Sequence, residues 1–490
     1  MYILTNGQMR EADAYTINEK KVPSLTLMER AGRALAKRAE ELALQGDILC
    51  VCGGGNNGGD GFVCARVLKI GGRNVDVVCF AERFSKDCCI NREIWQEQGG
   101  EMYSEIPQGK EYALVVDCLF GTGFRGSLDD KNAETVLRMN ALKERGARIL
   151  SADIPSGVNG DNGIVSGVAV KADATLCIGE IKAGVVLCDG LDYAGRVTRA
   201  DIGISLPEQG YATWIDKTSV SLPTRKRNSH KGSYGKTAIV GGSERYTGAA
   251  YLSATACLRS GTGYTALFVP ENILPYYYLK APELLLRPLK KETLEELLGY
   301  DSVAYGMGMG ISREVACGAT WLLKRYAGKL VLDADGLNSL ALYEKENFSE
   351  LFANKKCEVL ITPHLKEFSR LSGKEIKGIL ETGLSSAKAF ASEYGVTVLL
   401  KNATTIVTDG VRIGVNTAGS SGQAKGGSGD VLSGVIAGLC ATGLSAFEGA
   451  SLGGYLCGVA AELATREIGE YSLTATDVVA YLGRAFLTMR

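Results

Sequence analysis

At 490 residues the chain exceeds what one hydrophobic core normally supports, so two or three domains are expected. Its 54 basic residues nearly balance its 55 acidic ones, which excludes a general electrostatic pull toward nucleic acid or anionic membrane and leaves function to discrete sites. The 62 glycines fall at strand ends rather than in low-complexity runs, and the 14 cysteines are scattered, many inside apolar runs and never as C-x-x-C, so tight strand-to-helix turns and buried reduced thiols are expected.

The N-terminus "MYILTNGQMREADAYTINEK" has no signal-peptide core, and no run of about 18 apolar residues follows, so a soluble cytoplasmic protein is expected. The first helix is expected in "SLTLMERAGRALAKRAEELALQG", where Leu27, Ala31, Leu35 and Leu42 form a stripe and Gly46 supplies the stop. Apolar runs then alternate with helical ones as far as Leu206: "DILCVCGG", "NVDVVCF", "YALVVDCLFG", "ARILSADIPSG", "ADATLCIG" and "GRVTRADIGI". Continuous apolar strands separated by helices imply a mostly parallel sheet covered on both faces. Between Pro207 and Lys231 the periodicity lapses, and "SLPTRKRNSHKG" reads as a solvated linker. The alternation restarts at "KTAIVGGS" and runs through "YTALFVP", "DSVAYGMGMG", "KLVLDADGLNSL", "CEVLITPH" and "VTVLLKN" to a hairpin, "TIVTDGVRIGV". Two helices rich in Gly and Ala follow, suited to close packing within a domain or between subunits. The fold class is α/β with two doubly wound domains, 1–210 and 225–490.

In "LCVCGGGNNGGDGF", Gly53, Gly55 and Gly58 have the G-x-G-x-x-G spacing of a dinucleotide turn, and Glu82 lies where a ribose-binding acid is expected. Against an ordinary cofactor site, the helix is expected to open with Asp60, whose carboxylate would repel a diphosphate. A nucleotide site, a structural turn and a different small-molecule site all remain open on this stretch alone. Ligands collect at the carboxyl ends of strands in open parallel sheets. That edge gathers Asn56, Asn57 and Asp60, then Asp117, then Asp153 and Ser156. Oxygen donors of this kind suit a hard cation and acid/base work, while each acid singly could cap a turn.

In the second half, "GGSGDVLSGVIAGL" places Gly426, Gly427 and Gly429 before a helix expected to begin at Asp430. Free N–H groups there form an anion hole for a transferring phosphoryl group, and Asp430 is placed to take a proton from an attacking hydroxyl; an N-cap aspartate is the structural alternative. "HKGSYGKTAIV" mimics a phosphate loop but precedes its strand instead of following it. The two histidines, His230 and His364, both fall in turns beside strands.

"NNGGDG", "DCLFGTG", "DIPSG", "KADATLCIG" with Lys182, and "ADIGI" resemble the epimerase domain of the bifunctional NAD(P)H-hydrate repair enzymes. "SHKGSYGKTAIVGGSERYTGAAYLSATACLRSGTGY", "VLDADGLN", "ITPHLKEFSRL", "LLKNATTIV" and "GGSGDVL" resemble the fused dehydratase domain, and the order is kept along nearly the whole chain. The resemblance implies a Rossmann-like N-terminal domain that interconverts the R and S hydrates of NADH and NADPH (NADHX and NADPHX). It implies a ribokinase-like C-terminal domain that dehydrates the S form at the expense of ADP, carried with Mg2+.

Carried over residue by residue, Asn56, Asn57, Gly58, Gly59 and Asp60, with Gly121, Thr122, Gly123, Phe124, Arg125, Gly126 and Ser127, are implied to contact the hydrate. Asp153 is a further contact and the favoured acid/base group, and Asn57, Asp117 and Ser156 are implied to hold a potassium ion (K+). In the second domain Gly308, Gly310, His364, Leu365, Lys366, Glu367, Phe368, Ser369 and Arg370 match hydrate-binding positions. Lys401, Asn402, Ala403, Thr404 and Thr405, then Ser420, Ser421, Gly422, Gln423, Ala424, Lys425, Gly426, Gly427, Ser428 and Gly429, match ADP-binding positions, with Asp430 as catalytic base in contact with the hydrate. "YGMGMG" lacks the proline usual at its turn, "GSGD" replaces G-T-G-D, and Lys425 stands where a small residue is common, its reach to phosphate or solvent open. A ribokinase-type small-molecule kinase is the alternative for the second domain, and a non-catalytic binding role the alternative for the first. Homo-oligomers are expected, with no nucleic-acid or membrane partner.

Overall fold

The computed structural model describes residues 1–207 and 210–489. The chain divides into two compact units, Met1–Tyr211 and Ala212–Arg490. Each is α/β and doubly wound, as the alternation of apolar and helical runs implies.

In the first unit a seven-stranded sheet runs Met102–Tyr103, Val75–Val78, Ile48–Cys52, Leu114–Cys118, Arg148–Ala152, Ala174–Ile178, Arg196–Ala200, with every pairing parallel. Ile48–Cys52 and Leu114–Cys118 are buried at every residue because helices cover both faces. Alternate residues feed two cores. Ile48, Cys50 and Cys52 join Leu35, Phe62 and Trp95 on one face, while Leu49 and Val51 join Val115, Val136 and Ile149 on the other. Cys50, Cys52, Cys118 and Cys177 are buried free thiols.

Two helices differ from expectation. Asn6–Asn18 forms a helix that the apolar pattern does not announce, started by a Thr5–Gln8 capping box. Its buried residues are Asn6, Met9, Ala12 and Thr16, so polar side chains occupy much of the inward face. The helix Ser24–Leu42 ends before Gly46, with Ala43 extended as its C-cap, and the Arg73 guanidinium takes up the carbonyl oxygens of Ala43 (2.6 Å) and Gly46 (2.9 Å) beyond it. Tyr2–Leu4 pairs in parallel with Ile181–Lys182, setting Leu4 opposite Lys182.

The second unit's strands run Leu285–Pro288, Tyr264–Val269, Lys236–Val240, Ser302–Tyr305, Lys329–Leu332, Glu358–Ile361, Thr397–Leu400, and these are parallel. The hairpin Thr405–Thr408 and Ile413–Asn416 continues the sheet antiparallel. Ala212–Trp214 then pairs in parallel with Ile413–Asn416, so a strand lies inside the stretch expected to be linker; three residues are too few to show a period of two. Helices Thr247–Leu258 and Ser428–Ala441 pack closely: a Cβ on Gly434 would stand 2.0 Å from the Ser253 carbonyl oxygen. This glycine therefore serves packing inside the unit. Among the described residues no helix is long and apolar enough to cross a membrane.

Candidate active sites

The strand ends of the first unit do gather acids. Asp117, at the end of Leu114–Cys118, is fully buried and accepts from Ser151 Oγ (2.8 Å), Ser156 Oγ (2.6 Å), Ser156 N (2.9 Å) and Leu119 N (3.3 Å). Burial raises its carboxyl above the ordinary range even so. Ser156 Oγ also accepts from Phe120 N (2.9 Å), and Asn57 Nδ2 donates to the Phe120 carbonyl (2.8 Å), so Asn57, Asp117 and Ser156 meet around one loop.

Asp153 follows Arg148–Ala152 with φ +69°, a left-handed backbone that Asp tolerates better than most residues. The turn aims its carboxylate at the next strand end, where Oδ1 accepts from Ile178 N (3.0 Å) and pairs with the Lys182 ammonium. The Lys182 side chain is only 1% exposed, and its Nζ also donates to the Ile178 carbonyl. Asp60 belongs to the same electrostatic cluster. Burial, then Asp153, pushes its carboxyl well above the ordinary range against the pull of Lys182. Asp13, which sequence reasoning missed, joins it from the Asn6–Asn18 helix, raised to about 6 by burial. Its only sequence signal is an acid on a helix that sequence periodicity leaves unseen.

Asp60 does not open its helix. The helix begins at Asn56, with Gly55 as N-cap, and Asp60 lies buried in the second turn. The glycine run reads as a turn by propensity, but close packing overrides that: a Cβ on Gly58 would stand 1.8 Å from the Gly53 carbonyl oxygen, and one on Gly59 2.5 Å from Met28 Sδ. Gly58 and Gly59 therefore have no room for a side chain. In the Gly121–Ser127 loop Phe124 is buried against Phe120, 5.4 Å between ring centroids, whereas Gly123, Arg125, Gly126 and Ser127 are exposed.

In the second unit the chemistry converges at the start of the helix Ser428–Ala441. Its N-cap is Gly427, at φ +94°, and Asp430 is the third helical residue, so it is not an N-cap aspartate. Asp333, 1% exposed at the end of Lys329–Leu332, accepts from Lys401 Nζ (2.8 Å), Ser433 Oγ (2.6 Å) and Ala334 N (2.8 Å). A Cβ on Gly429 would stand 3.3 Å from Lys401 Nζ, which places that ammonium against the helix start. Burial, then Asp333, drives Asp430 up to about 7 although Lys401 opposes them. Burial works against the Lys401 ammonium, but Asp333, Glu367 and Asp430 outweigh it and hold the group above its ordinary range.

A second cluster borders the first. His364 caps the helix Leu365–Ser372, its Nδ1 accepting from Lys366 N (3.1 Å) and Glu367 N (3.2 Å), which leaves the proton on Nε2, 3.5 Å from Glu367 Oε1. Asn338 bridges Arg370 and Glu367, and Gly310 N donates to Asp335 Oδ2 (2.7 Å). Phe368 is fully buried against Phe390, and Glu367 is buried beside it, whereas His364, Lys366 and Arg370 are exposed. His230 stands instead at the opposite edge of the sheet, before the strand Lys236–Val240.

Of the Lys401–Thr405 segment, Asn402 and Ala403 are exposed and Thr404 is buried. Ser420 to Gln423 form a capped turn, tied by Thr465 Oγ1 to Ser420 Oγ (2.8 Å), and Ser421 pairs with Glu470. Lys425 is exposed and its Nζ donates to the Tyr471 carbonyl (2.6 Å). Asp333, Asp335, Asn338 and Ser433 were not assigned from sequence. "DADGLN" after an apolar strand was the available signal for the first three.

Residues 237–484 match the family described as NAD(P)H-hydrate dehydratase, and residues 24–184 match the family described as YjeF-related protein N-terminus. The bifunctional NAD(P)H-hydrate repair enzyme of Moorella thermoacetica is 34% identical over 523 residues, 98% of this chain and 96% of that one. Among solved structures, the ADP/ATP-dependent NAD(P)H-hydrate dehydratase of Bacillus subtilis, co-crystallised with ATP/Mg2+, is 26% identical with a TM-score of 0.51, covering 57% of this chain and 99% of that one. A ribokinase-like superfamily protein of Enterococcus faecalis, 24% identical with a TM-score of 0.50 over 58% of this chain and 98% of its own, shares the fold. With both halves matched in order and a relative aligned along nearly its whole length, the chain belongs to the family of bifunctional NAD(P)H-hydrate repair enzymes.

Proposed function

We propose that the two units divide the repair: the first inverts C6 of the R hydrate, and the second removes water from the S hydrate with ADP as phosphoryl donor. C6 of the hydrate carries a hydroxyl and the ring nitrogen, so inverting it requires a proton on the departing heteroatom and its removal on return. Asp60, whose carboxyl burial raises well above the ordinary range, is the acid, and Asp153, paired with Lys182, is the base. Asn57, Asp117 and Ser156 fit a potassium ion. They offer oxygen donors around one buried carboxylate, and among the described residues no cation offsets its charge. Bound there, the ion would supply charge compensation where the helix start that carries Asn57 meets the Phe120 loop.

In the second unit Asp430 takes the proton of the C6 hydroxyl as that oxygen attacks the terminal phosphorus of ADP, releasing AMP. The phosphate ester then leaves C6 as the ring nitrogen donates its electron pair, and loss of a C5 proton restores the dihydropyridine. Phosphorylation matters because hydroxide leaves poorly at neutral pH. Lys401 and the open N–H groups of the Gly426–Gly429 turn stabilise the charge that develops on the phosphoryl group. Mg2+ fits here as an ion carried by the nucleotide's phosphates. His364, Glu367, Asn338 and Arg370 orient the hydrate.

The observation that carries this reading is Asp430, held near 7 in the first turn of a helix whose start is lined by glycines and Lys401. The test is S hydrate plus ADP, followed by reduced-nicotinamide absorbance and by AMP and phosphate release. One AMP and one phosphate per dinucleotide restored supports the reading. A stable phosphorylated product made from ATP supports a small-molecule kinase instead.

A further inference from the structure

A cavity of about 250 Å³ opens at the carboxyl ends of Val75–Val78, Ile48–Cys52 and Leu114–Cys118, apart from the Asp153–Lys182 pair along the sheet. Gly54, Phe80, Glu82, Leu119, Phe120 and Lys131 line it. This is where the strand order reverses: from Ile48–Cys52 the chain moves outward to Met102–Tyr103, then returns to Leu114–Cys118 on the other side. Doubly wound sheets hold dinucleotides in that crevice.

The glycines beside the cavity have separate jobs. A Cβ on Gly53 would stand 2.1 Å from the Leu119 carbonyl oxygen, and Gly58 packs against Gly53, so both are demanded by the protein itself. Gly55 is different. Nothing lies within 4 Å of a Cβ there, its φ of −85° suits any residue, and it caps the helix Asn56–Ile70 without a side chain. A side chain would therefore be tolerated at Gly55, whereas a Cβ on Gly54, which lines the cavity, would stand 1.9 Å from the Arg83 carbonyl oxygen.

Glu82 stands exposed at the rim, and among the described residues it has no hydrogen-bond or ion-pair partner. Lys131 Nζ lies 4.6 Å from the centroid of the Phe80 ring, and Asp129 caps the helix Asp130–Glu144 through Asn132 N (2.9 Å). Two carboxylates against one ammonium leave the cavity net negative. Within this mostly polar lining, Leu119 and Phe120 offer an apolar contact for a base, and the Glu82 carboxylate at the rim suits a diol.

Resting on the epimerase reading of this unit, we infer that the cavity is the adenosine subsite of the dinucleotide hydrate. Glu82 accepts the hydroxyls of the adenosine ribose, which makes the epimerase step selective for the hydrate without a 2′-phosphate. A 2′-phosphate would bring up to two more negative charges against Glu82.

The test measures epimerisation kcat/KM for R-NADHX and R-NADPHX with the full-length chain, as wild type, Glu82→Gln and Glu82→Arg, S-hydrate dehydration serving as internal reference. Wild type should favour R-NADHX by about 10-fold or more; Glu82→Gln should cut that substrate's kcat/KM roughly 10- to 100-fold, chiefly through KM, and shrink the preference. Glu82→Arg should reverse it. The same substrate ratio in all three proteins, with brisk epimerisation of both hydrates, overturns the subsite and spares the epimerase reading. A wild-type chain that dehydrates S hydrate but leaves both R hydrates at their spontaneous rate overturns the epimerase reading, and the subsite with it.

Discussion

Replacing Asp430 with Asn keeps the size and polarity of the side chain and removes its charge. In the native chain burial and Asp333 displace this carboxyl from 3.8 to about 7, and the displacement is worth about 4 kcal/mol. A carboxyl with a raised folded-state pKa binds its proton more tightly when folded. Its stabilising effect is complete below 3.8 and is lost as pH rises through about 7. The Asn variant does not titrate, so it should be more stable than wild type by up to about 4 kcal/mol at about pH 8 and by less than about 1 kcal/mol at about pH 4. Its dehydration rate should fall roughly 10²- to 10⁴-fold, while R-hydrate epimerisation and ADP affinity persist. Wild-type dehydration should climb with pH through about 7 as the base ionises, a step missing from the variant's residual rate. Denaturant melts at the two pH values and S-hydrate turnover across the range provide the readouts. Wild-type turnover in the variant, or lower stability than wild type in alkali, would refute Asp430 as a buried base.

Lys182→Met should abolish epimerisation and cost about 3–5 kcal/mol, because the Asp153 carboxylate is left buried without its partner; adding Asp153→Asn should restore most of the stability and none of the epimerisation. Epimerisation should weaken when potassium is replaced by a bulky organic cation and recover on titrating it back, and Asp117→Asn should erase that dependence; a flat titration counts against the ion. Gly58→Ala should destabilise the first unit strongly, whereas Gly55→Ala should cost only about 1 kcal/mol through its poorer helix cap, as melts will show. A fragment of residues 212–490 should dehydrate S hydrate and leave R hydrate at its spontaneous epimerisation rate, whereas starting after Trp214 should cost stability by removing the strand paired with Ile413–Asn416.

The strand ends were legible because each apolar run stops at a polar group: Asp117 after "YALVV" and Asp153 after "RILSA" could be placed at one sheet edge by counting strands. Helix starts were less legible. Asn56 and Ser428 begin helices inside glycine-rich runs, where propensity argues for a turn and only tertiary packing, such as Gly58 on Gly53, decides otherwise. Asp13 was invisible because its helix buries Asn6 and Thr16 alongside Met9 and Ala12, which erases the apolar stripe. The Asp333–Ser433 bond joins residues 100 apart, and Asp333 meets Lys401 from a different strand, so no local pattern announces either pairing. The same holds for the cavity at Glu82, where the spacing from Gly58 hinted at a ribose acid but the walls come from three separate strand ends.

The most direct test of the account supplies the full-length chain with a mixture of R and S hydrates, with and without ADP and Mg2+, and records reduced-nicotinamide absorbance together with the two epimer pools. The account predicts that with ADP both pools drain completely to the reduced dinucleotide, with one AMP and one phosphate formed per molecule. Without ADP the epimers should equilibrate quickly and no reduced dinucleotide should appear. Drainage of the S pool alone, with R falling only at its spontaneous rate, or accumulation of a stable phosphorylated hydrate, would contradict the two-step repair assigned to this chain.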